Sequence, residues 1–199
     1  MIDGLTFDAA KHEYRFKGVV VPSVTQLLKP LEDWSFLDEE AKAFYAGRGT
    51  AVHQATALDD QNDLDEASVD PQIAGYVNSW RHIRLDKTIQ ILSCEEFVYH
   101  PLLRVAGTLD RRLMINDTHC ILDIKAGVKL ATHGIQVYGY KKLWNHERPF
   151  REQVRDCYTA YLMKDGSPAK LVKWPDPMHE QMFVALLTMK TWSDRYAPQ

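Results

Sequence analysis

The sequence has no stretch approaching the roughly 20 consecutive apolar residues that a membrane-spanning helix needs. Its start, Met1-Ile2-Asp3-Gly4, lacks the basic and apolar regions of a secretory signal. Both absences set the expectation of a soluble protein that stays in the cytoplasm. Cysteine is scarce. Cys94, Cys120 and Cys157 are odd in number, widely separated and set among apolar or β-forming residues, which argues against a disulfide framework and for buried, reduced thiols. They also lack short paired spacing, so no cysteine-held zinc or iron–sulfur cluster is expected. An excess of positive charge is missing too. With 24 Lys and Arg against 27 Asp and Glu, the net charge of −3 argues against a protein that coats nucleic acid through a strongly basic surface. It leaves room for an enzyme that gathers carboxylates around a divalent metal and keeps a local track of cations for phosphates. There is no Gly-rich loop ending in Lys-Ser or Lys-Thr, no nucleophile elbow and no HExxH. A nucleotide-driven motor, a serine hydrolase and a zincin are thereby set aside.

What is present reads as one ordinary globular unit over 1–199: 199 residues, 45% of them hydrophobic, with no repeat, low-complexity tract or linker. Residues 1–85 form an N-terminal hairpin and helical part, and 86–199 a sheet core with a C-terminal helix. Leu5-Thr6-Phe7 and Tyr14-Arg15-Phe16 read as a hairpin, and Pro22-Ser23-Val24-Thr25 starts a short helix that Pro30 closes. A helical pattern runs from Leu37 to about Leu58, with Gly47 and Gly49 as weak points. The acidic run Asp59 to Asp70 reads as an exposed loop, and Pro71 opens another helix carrying Ile73, Tyr76, Val77 and Trp80. Branched and aromatic residues then predict a three-stranded meander over 89–99, 104–115 and 118–125. A helix over 132–145, strands near 154–163 and 169–172, and a helix over 177–195 follow. The tail from Trp174 to Gln199, with the apolar residues Met178, Met182, Phe183, Leu186, Leu187 and Met189, is expected in the core or an oligomer contact. Helices, then strands, helix, strands and helix predict a mixed α/β sandwich rather than a doubly wound fold.

Asn116-Asp117 reads as a two-residue hairpin turn, since both residues tolerate left-handed backbone. Ile115 then faces Thr118, and Asp110 pairs with Asp123, with Cβ atoms roughly 5 Å apart. Two carboxylates so placed repel unless a cation lies between them. Lys125, two residues beyond Asp123, emerges on the same face. Acid, acid and amine are what phosphodiester hydrolysis asks for: oxygen ligands for a hard metal and a cation that handles the attacking water. The competing reading is an exposed strand end with a salt bridge, and Glu40-Ala41-Lys42 shows how easily the spacing arises. Its helical surroundings make it a solvated surface.

Gly49-Thr50-Ala51-Val52-His53, Gly107-Thr108-Leu109-Asp110, Asp123-Ile124-Lys125 and Gln136-Val137-Tyr138-Gly139-Tyr140 together resemble the RecB-like branch of the PD-(D/E)XK nucleases. That branch shows GxxxH, GxxD, DxK and QxxxY in this order, and small phage or prophage exonucleases belong to it. Each motif alone is weak, as a second QxxxY at Gln72 to Tyr76 shows. The resemblance implies an α/β, restriction-endonuclease-like core, with a mixed central sheet flanked by helices. It also implies a Mg²⁺- or Mn²⁺-dependent deoxyribonuclease, an exonuclease by branch, acting in recombination, repair or phage DNA processing. Asp110 and Asp123 would bind the metal with the carbonyl of Ile124 and with His53, and Lys125 would orient or activate water. The branch often adds a glutamate on the preceding strand. Glu95 and Glu96 both qualify, only one can face the site, and the spacing to Val98 and Tyr99 in similar sequences favours Glu95. Gln136 and Tyr140 share a helix face and would bind DNA, with Lys129, Lys141 and Lys142, and Arg104, Arg111 and Arg112, as a phosphate track. Iron–sulfur members of the family need four cysteines, so that cluster is not carried over. DNA is the expected partner, beside a single-strand annealing protein, in a bacterial cell or phage-infected host. Two alternatives stay open: a structure-specific or nicking endonuclease, and a catalytically silent binding module, against which intact Asp110, Asp123 and Lys125 speak.

Overall fold

The alternating apolar residues at the N-terminus form β1 (Leu5–Asp8) and β2 (Glu13–Phe16), paired antiparallel as expected. The chain then turns at Lys17 and Gly18 (φ 49° and 80°) and adds a third strand, β3 (Val19–Val21). Three residues carry too short an alternation to announce a strand, so the hairpin was legible and its extension was not. The computed structural model describes residues 2–197. Met1, Pro198 and Gln199, at the ends of the expected 1–199 unit, lie outside the described residues.

Helix α1 (Val24–Leu28) starts in a capping box: the Gln26 N–H donates to the Ser23 hydroxyl (3.1 Å), and the Ser23 N–H donates to the Gln26 side chain (3.0 Å). Pro30 lies inside the 3-10 turn Lys29–Leu31 that follows. Helix α2 (Glu39–Asp60) begins at Asp38, whose carboxylate accepts from the Ala41 N–H at 2.7 Å. It runs unbroken through Gly47 and Gly49 and into the acidic run expected as an exposed loop. The carboxylates of Asp59 and Asp60 are buried because cations meet them. Arg81 and Arg84 approach Asp59 to 2.7 and 3.0 Å, and Arg111 Nε lies 2.5 Å from Asp60, which also accepts from Trp80 Nε1 at 2.8 Å. A buried charge persists only when paired, and these partners lie far along the chain, so no local pattern revealed them. Helix α3 (Pro71–Arg84) has the expected Pro at its start and Asp70 as its cap.

β4 (Ile89–His100), β5 (Val105–Ile115) and β6 (Thr118–Lys125) form the expected meander. Asn116 and Asp117 both take left-handed angles (φ 46° and 60°), as a type I′ turn requires. They fix the register from Ile115 opposite Thr118 to Arg111 opposite Leu122. After β6, α4 (Thr132–Asn145) carries the chain back so that β7 (Asp156–Tyr161) can lie parallel to β6, a neighbour that only a crossover can supply. β8 (Lys170–Lys173) completes the order β4-β5-β6-β7-β8, and α5 (Met178–Tyr196) follows. The architecture is the expected one, a five-stranded mixed sheet flanked by helices, consistent with a PD-(D/E)XK-like core.

Helices α1, α4 and α5 cover one sheet face around Val105, Leu109, Ile121, Val137 and Phe183. Helices α2 and α3 cover the other around Val52, Trp80, Leu113, Leu122 and Ile124. Within α5, Phe183, Leu186 and Leu187 are buried while Met178 and Met189 are exposed. Cys120 and Cys157 are buried free thiols; Cys94 is half-buried and free. Among the described residues no helix is long and apolar enough to cross a membrane.

Candidate active site

Strand alternation in β6 brings Asp123 and Lys125 to one face, where the Lys125 ammonium lies 2.8 and 3.1 Å from the two carboxylate oxygens of Asp123. The β5–β6 register, continued one step past Arg111 and Leu122, sets Asp110 beside Asp123. Asp110 reaches across to β6, its Oδ2 accepting the Ile124 N–H at 2.7 Å. From α2, His53 Nδ1 comes within 3.3 Å of that same oxygen and 3.9 Å of Glu95 Oε1. Glu95 stands at a break in β4 pairing: Cys94 opposes Arg111 and Glu96 opposes Leu109, and Glu95 between them takes a left-handed angle (φ 50°). That angle, costly for a residue with a Cβ, turns its carboxylate toward the cluster, where Arg111 Nη1 holds it at 3.2 Å. Glu96 pairs instead with Arg112 and with the Ser93 hydroxyl. Of the two glutamates weighed, the geometry therefore places Glu95 in the cluster.

Charge in this cluster is strongly coupled. Burial pushes the Asp123 carboxyl up and the charge of Asp110 adds to it, against the opposing pull of Lys125, leaving it at about 6. Burial pushes Asp110 up as well, but the charge and hydrogen bond of His53, the ammonium of Lys125 and the Ile124 N–H outweigh it and hold Asp110 below the usual carboxylate range. Burial lowers His53, yet Asp110 and Glu95 raise it to about 10. Lys125 is likewise held protonated by Asp123 and Asp110 in spite of burial.

His53, Glu95 and Asp110 offer ligand atoms that all lie within 4.8 Å of one another. Beside them, the buried Asp123 Oδ2 has no well-aligned hydrogen bond. An imidazole with several carboxylate oxygens, one of them met only by the Lys125 ammonium, fits a hard divalent cation such as Mg²⁺ or Mn²⁺. The expected ligand set thus gains Glu95. Of Ile124, expected to act through its carbonyl, the structure shows the N–H at work, anchoring Asp110.

His53, Ile124 and Lys125 open onto a groove of about 970 Å³. Its walls include Lys29, Trp34 and Phe36 ahead of α2, Lys42, Tyr45 and Arg48 on α2, and His133 and Gln136 on α4. Arg48 Nη2 donates to the Ala126 carbonyl at 2.9 Å, with its guanidinium 5.1 Å from the Tyr45 ring. Lys42, read as a solvated surface in Glu40-Ala41-Lys42, in fact lines the groove. Of these wall residues only His53, Ile124, Lys125 and Gln136 belong to a motif in the sequence, because only tertiary packing brings the segment before α2 to the same groove as α4.

The expected DNA-binding residues divide. Gln136 lines the groove, and its Nε2 donates to the Tyr140 hydroxyl at 3.5 Å. Tyr140 is buried behind it in the core, in space left by Gly107, where a Cβ would lie 2.7 Å from Tyr140 Cε1. Lys129 sits 4.7 Å from the Trp174 ring, Lys141 donates to the Arg155 carbonyl at 2.8 Å, and Lys142 pairs with Glu180 at 2.7 Å. None of the three lines the groove, since the helical period carries Lys141 and Lys142 toward β7 and α5. Arg111 is fully buried against Asp60, and Arg112 stacks over Trp144 at 4.4 Å. The expected track through these arginines is therefore corrected: they stabilise the fold.

No family model matches the chain. The chain is similar to mitochondrial genome maintenance exonuclease 1 of Mus musculus, 28% identical over 176 residues, which take in 75% of this chain and 52% of that protein. The Homo sapiens protein of the same name is 28% identical over 177 residues, 75% of this chain and 51% of its own. The chain spans about half the length of these curated relatives. Both carry the name of exonucleases, and the similarity is distant.

Proposed function

We propose that this protein is a Mg²⁺- or Mn²⁺-dependent DNA exonuclease of the RecB-like PD-(D/E)XK type. The observation that carries the reading is the convergence of His53, Glu95, Asp110, Asp123 and Lys125 from α2, β4, β5 and β6 in one cluster, whose His53 and Lys125 open onto the groove. The similarity to exonucleases supports both the chemistry and DNA as substrate. The groove supports it further: Lys29, Lys42 and Arg48 stand among the exposed rings of Trp34, Phe36 and Tyr45, and cations interleaved with aromatics suit a single nucleic-acid strand.

His53, Glu95, Asp110 and Asp123 would hold the metal, which when bound supplies positive charge to the phosphate and the attacking water. The protein groups supply the rest. Lys125, kept as an ammonium by Asp123, orients the attacking water and offsets charge developing on the phosphoryl oxygens. The Ile124 N–H fixes Asp110, and Arg111 fixes Glu95, so the ligands need little rearrangement. Gln136 presents an amide to the strand. A role in recombination, repair or phage DNA processing, alongside a single-strand annealing protein, belongs to the same proposal.

The test is digestion of linear and covalently closed circular DNA with Mg²⁺, Mn²⁺ or chelator. Metal-dependent loss of linear DNA with circles left whole is expected. Asp123→Ala and Lys125→Ala each should lower the rate about a thousandfold or more, as loss of a preorganised charged group does. Nicked circles would favour the endonuclease reading, and folded protein inert toward both substrates would sink the nuclease reading.

A further inference from the structure

His133 lines the groove one helical turn ahead of Gln136 and has had no role so far. Its Nδ1 is engaged inside the protein: the Leu130 N–H donates to it at 3.4 Å, and the Tyr161 hydroxyl lies 2.9 Å away. An amide N–H can only donate, so this contact selects the tautomer with Nδ1 bare, whose single lone pair the Tyr161 hydroxyl then shares as the nearer donor. The hydrogen of the neutral ring is then on Nε2. Burial and the nearby charge of Lys125 push the imidazole down to about 3, so it stays neutral at physiological pH.

Tyr161 is itself well placed to hold the ring. It is the partner of Lys125 in the parallel β6–β7 ladder. Two residues earlier on β7, Thr159 is tied by Trp174 Nε1 at 3.0 Å. His133 Nε2 has no protein partner among the described residues, and it is not one of the buried atoms sealed from solvent. The residue is 7% exposed, and it borders the groove. A neutral N–H and the ammonium of Lys125 thus line the same groove, a pair that can serve one anion without the repulsion two cations would feel.

We propose that His133 contacts the DNA directly, its Nε2–H donating to a phosphate oxygen of the strand beside Lys125, with Tyr161 as the positioning residue that fixes the tautomer. The inference rests on the nuclease reading and names a group of that same site. The donor is neutral and the acceptor fully charged, so the bond is of the stronger, charge-assisted kind. His133 holds the phosphate and moves no proton.

The experiment compares the parent with His133→Gln, His133→Met and Tyr161→Phe. Gln and Met have similar length, and only Gln keeps a donor near the position of Nε2. Binding of a short single-stranded oligonucleotide is measured in Ca²⁺ and its hydrolysis in Mg²⁺, with melting curves as the check on folding. The Met variant is expected to lose about tenfold in both affinity and kcat/KM, the worth of one such hydrogen bond. Gln should recover most of that loss, and Phe at position 161 should lose less than Met at 133. The pH–rate profile of the Gln variant should keep the parent's shape between about pH 6 and 9, because a donor that does not titrate in this range adds no limb. A Met variant equal to the parent in both readouts overturns the inference. So does a folded Gln variant as weak as Met, or a limb of the parent's profile that vanishes with Gln. In each of these outcomes the parent still cuts DNA and the nuclease reading stands. A parent that neither binds nor cuts takes both down.

Discussion

Asp110 and Asp123 are the same chemical group in one cluster, and their surroundings push them apart. His53 and the Ile124 N–H hold Asp110 ionised, while burial and the charge of Asp110 raise Asp123 from 3.8 to about 6. For an acid whose folded value is raised, the folded state binds the extra proton between the two values. Without metal, this group's contribution to stability therefore falls as pH rises from about 4 to about 6. Asp123→Asn, which cannot ionise, should melt close to the parent at pH 4 in chelator and progressively above it toward pH 7. Adding Mn²⁺ at pH 7 should close or reverse that gap, since only the carboxylate binds the ion and ligand binding stabilises the folded state. Thermal melts over this range decide it, and a gap independent of pH would show that the charge on Asp123 is not what the fold resists. The choice between Glu95 and Glu96 also belongs to this scale. Alternation says that one of them faces the site, and only the left-handed angle at Glu95 shows how the strand selects it.

Most elements were legible because period and punctuation agreed. The Asn116-Asp117 turn fixed a register, Ser23 and Gln26 formed a capping box, and Pro71 opened α3. The two glycines of α2 misled in a mild way, reading as weak points in a helix that runs straight through them. A Cβ at Gly47 meets nothing within 4 Å, so Gly47→Ala should stabilise the protein by roughly 0.5–1 kcal/mol through lower unfolded-state entropy. Gly75 in α3 is different. A Cβ there would lie 1.8 Å from the Lys164 carbonyl oxygen in the β7–β8 connection, backbone that cannot swing aside. Gly75→Ala should cost about 1–3 kcal/mol or more as the helix is forced off the connection. Denaturant titrations of the two variants should therefore shift in opposite directions. Equal midpoints would mean that α3 does not pack as described. β3 escaped notice for the reason that makes short strands hard to see: its pairing is with β2, not with any pattern of its own.

At the scale of the molecule, one fully buried arginine joins the helical layer to the sheet. Arg111 on β5 meets Asp60 and Thr56 of α2, lies 5.3 Å from the Trp80 ring of α3 and steadies Glu95 of β4. Removing it strands the Asp60 carboxylate in the interior. Arg111→Met is expected to cost about 3–5 kcal/mol and to lower activity by freeing Glu95. Arg111→Met with Asp60→Leu should regain most of the stability and little of the activity. Recovery of both by the double variant would argue that Arg111 serves the fold alone.

The sequence by itself determined most of the elements, the β5–β6 register and the convergence of Asp110, Asp123 and Lys125, because these follow from period, strand alternation and one tight turn. Tertiary structure decided the rest. Asp59, Asp60 and Arg111 read as surface charges and prove to be buried, since their partners come from other segments and only pairing removes the cost of desolvating them. The groove walls, the burial of Tyr140 behind Gln136 and the ring of His133 held by Tyr161 all depend on what α2, α4 and β7 bring together. Proximity between segments distant in sequence is set by packing of the whole chain, and no local spacing encodes it.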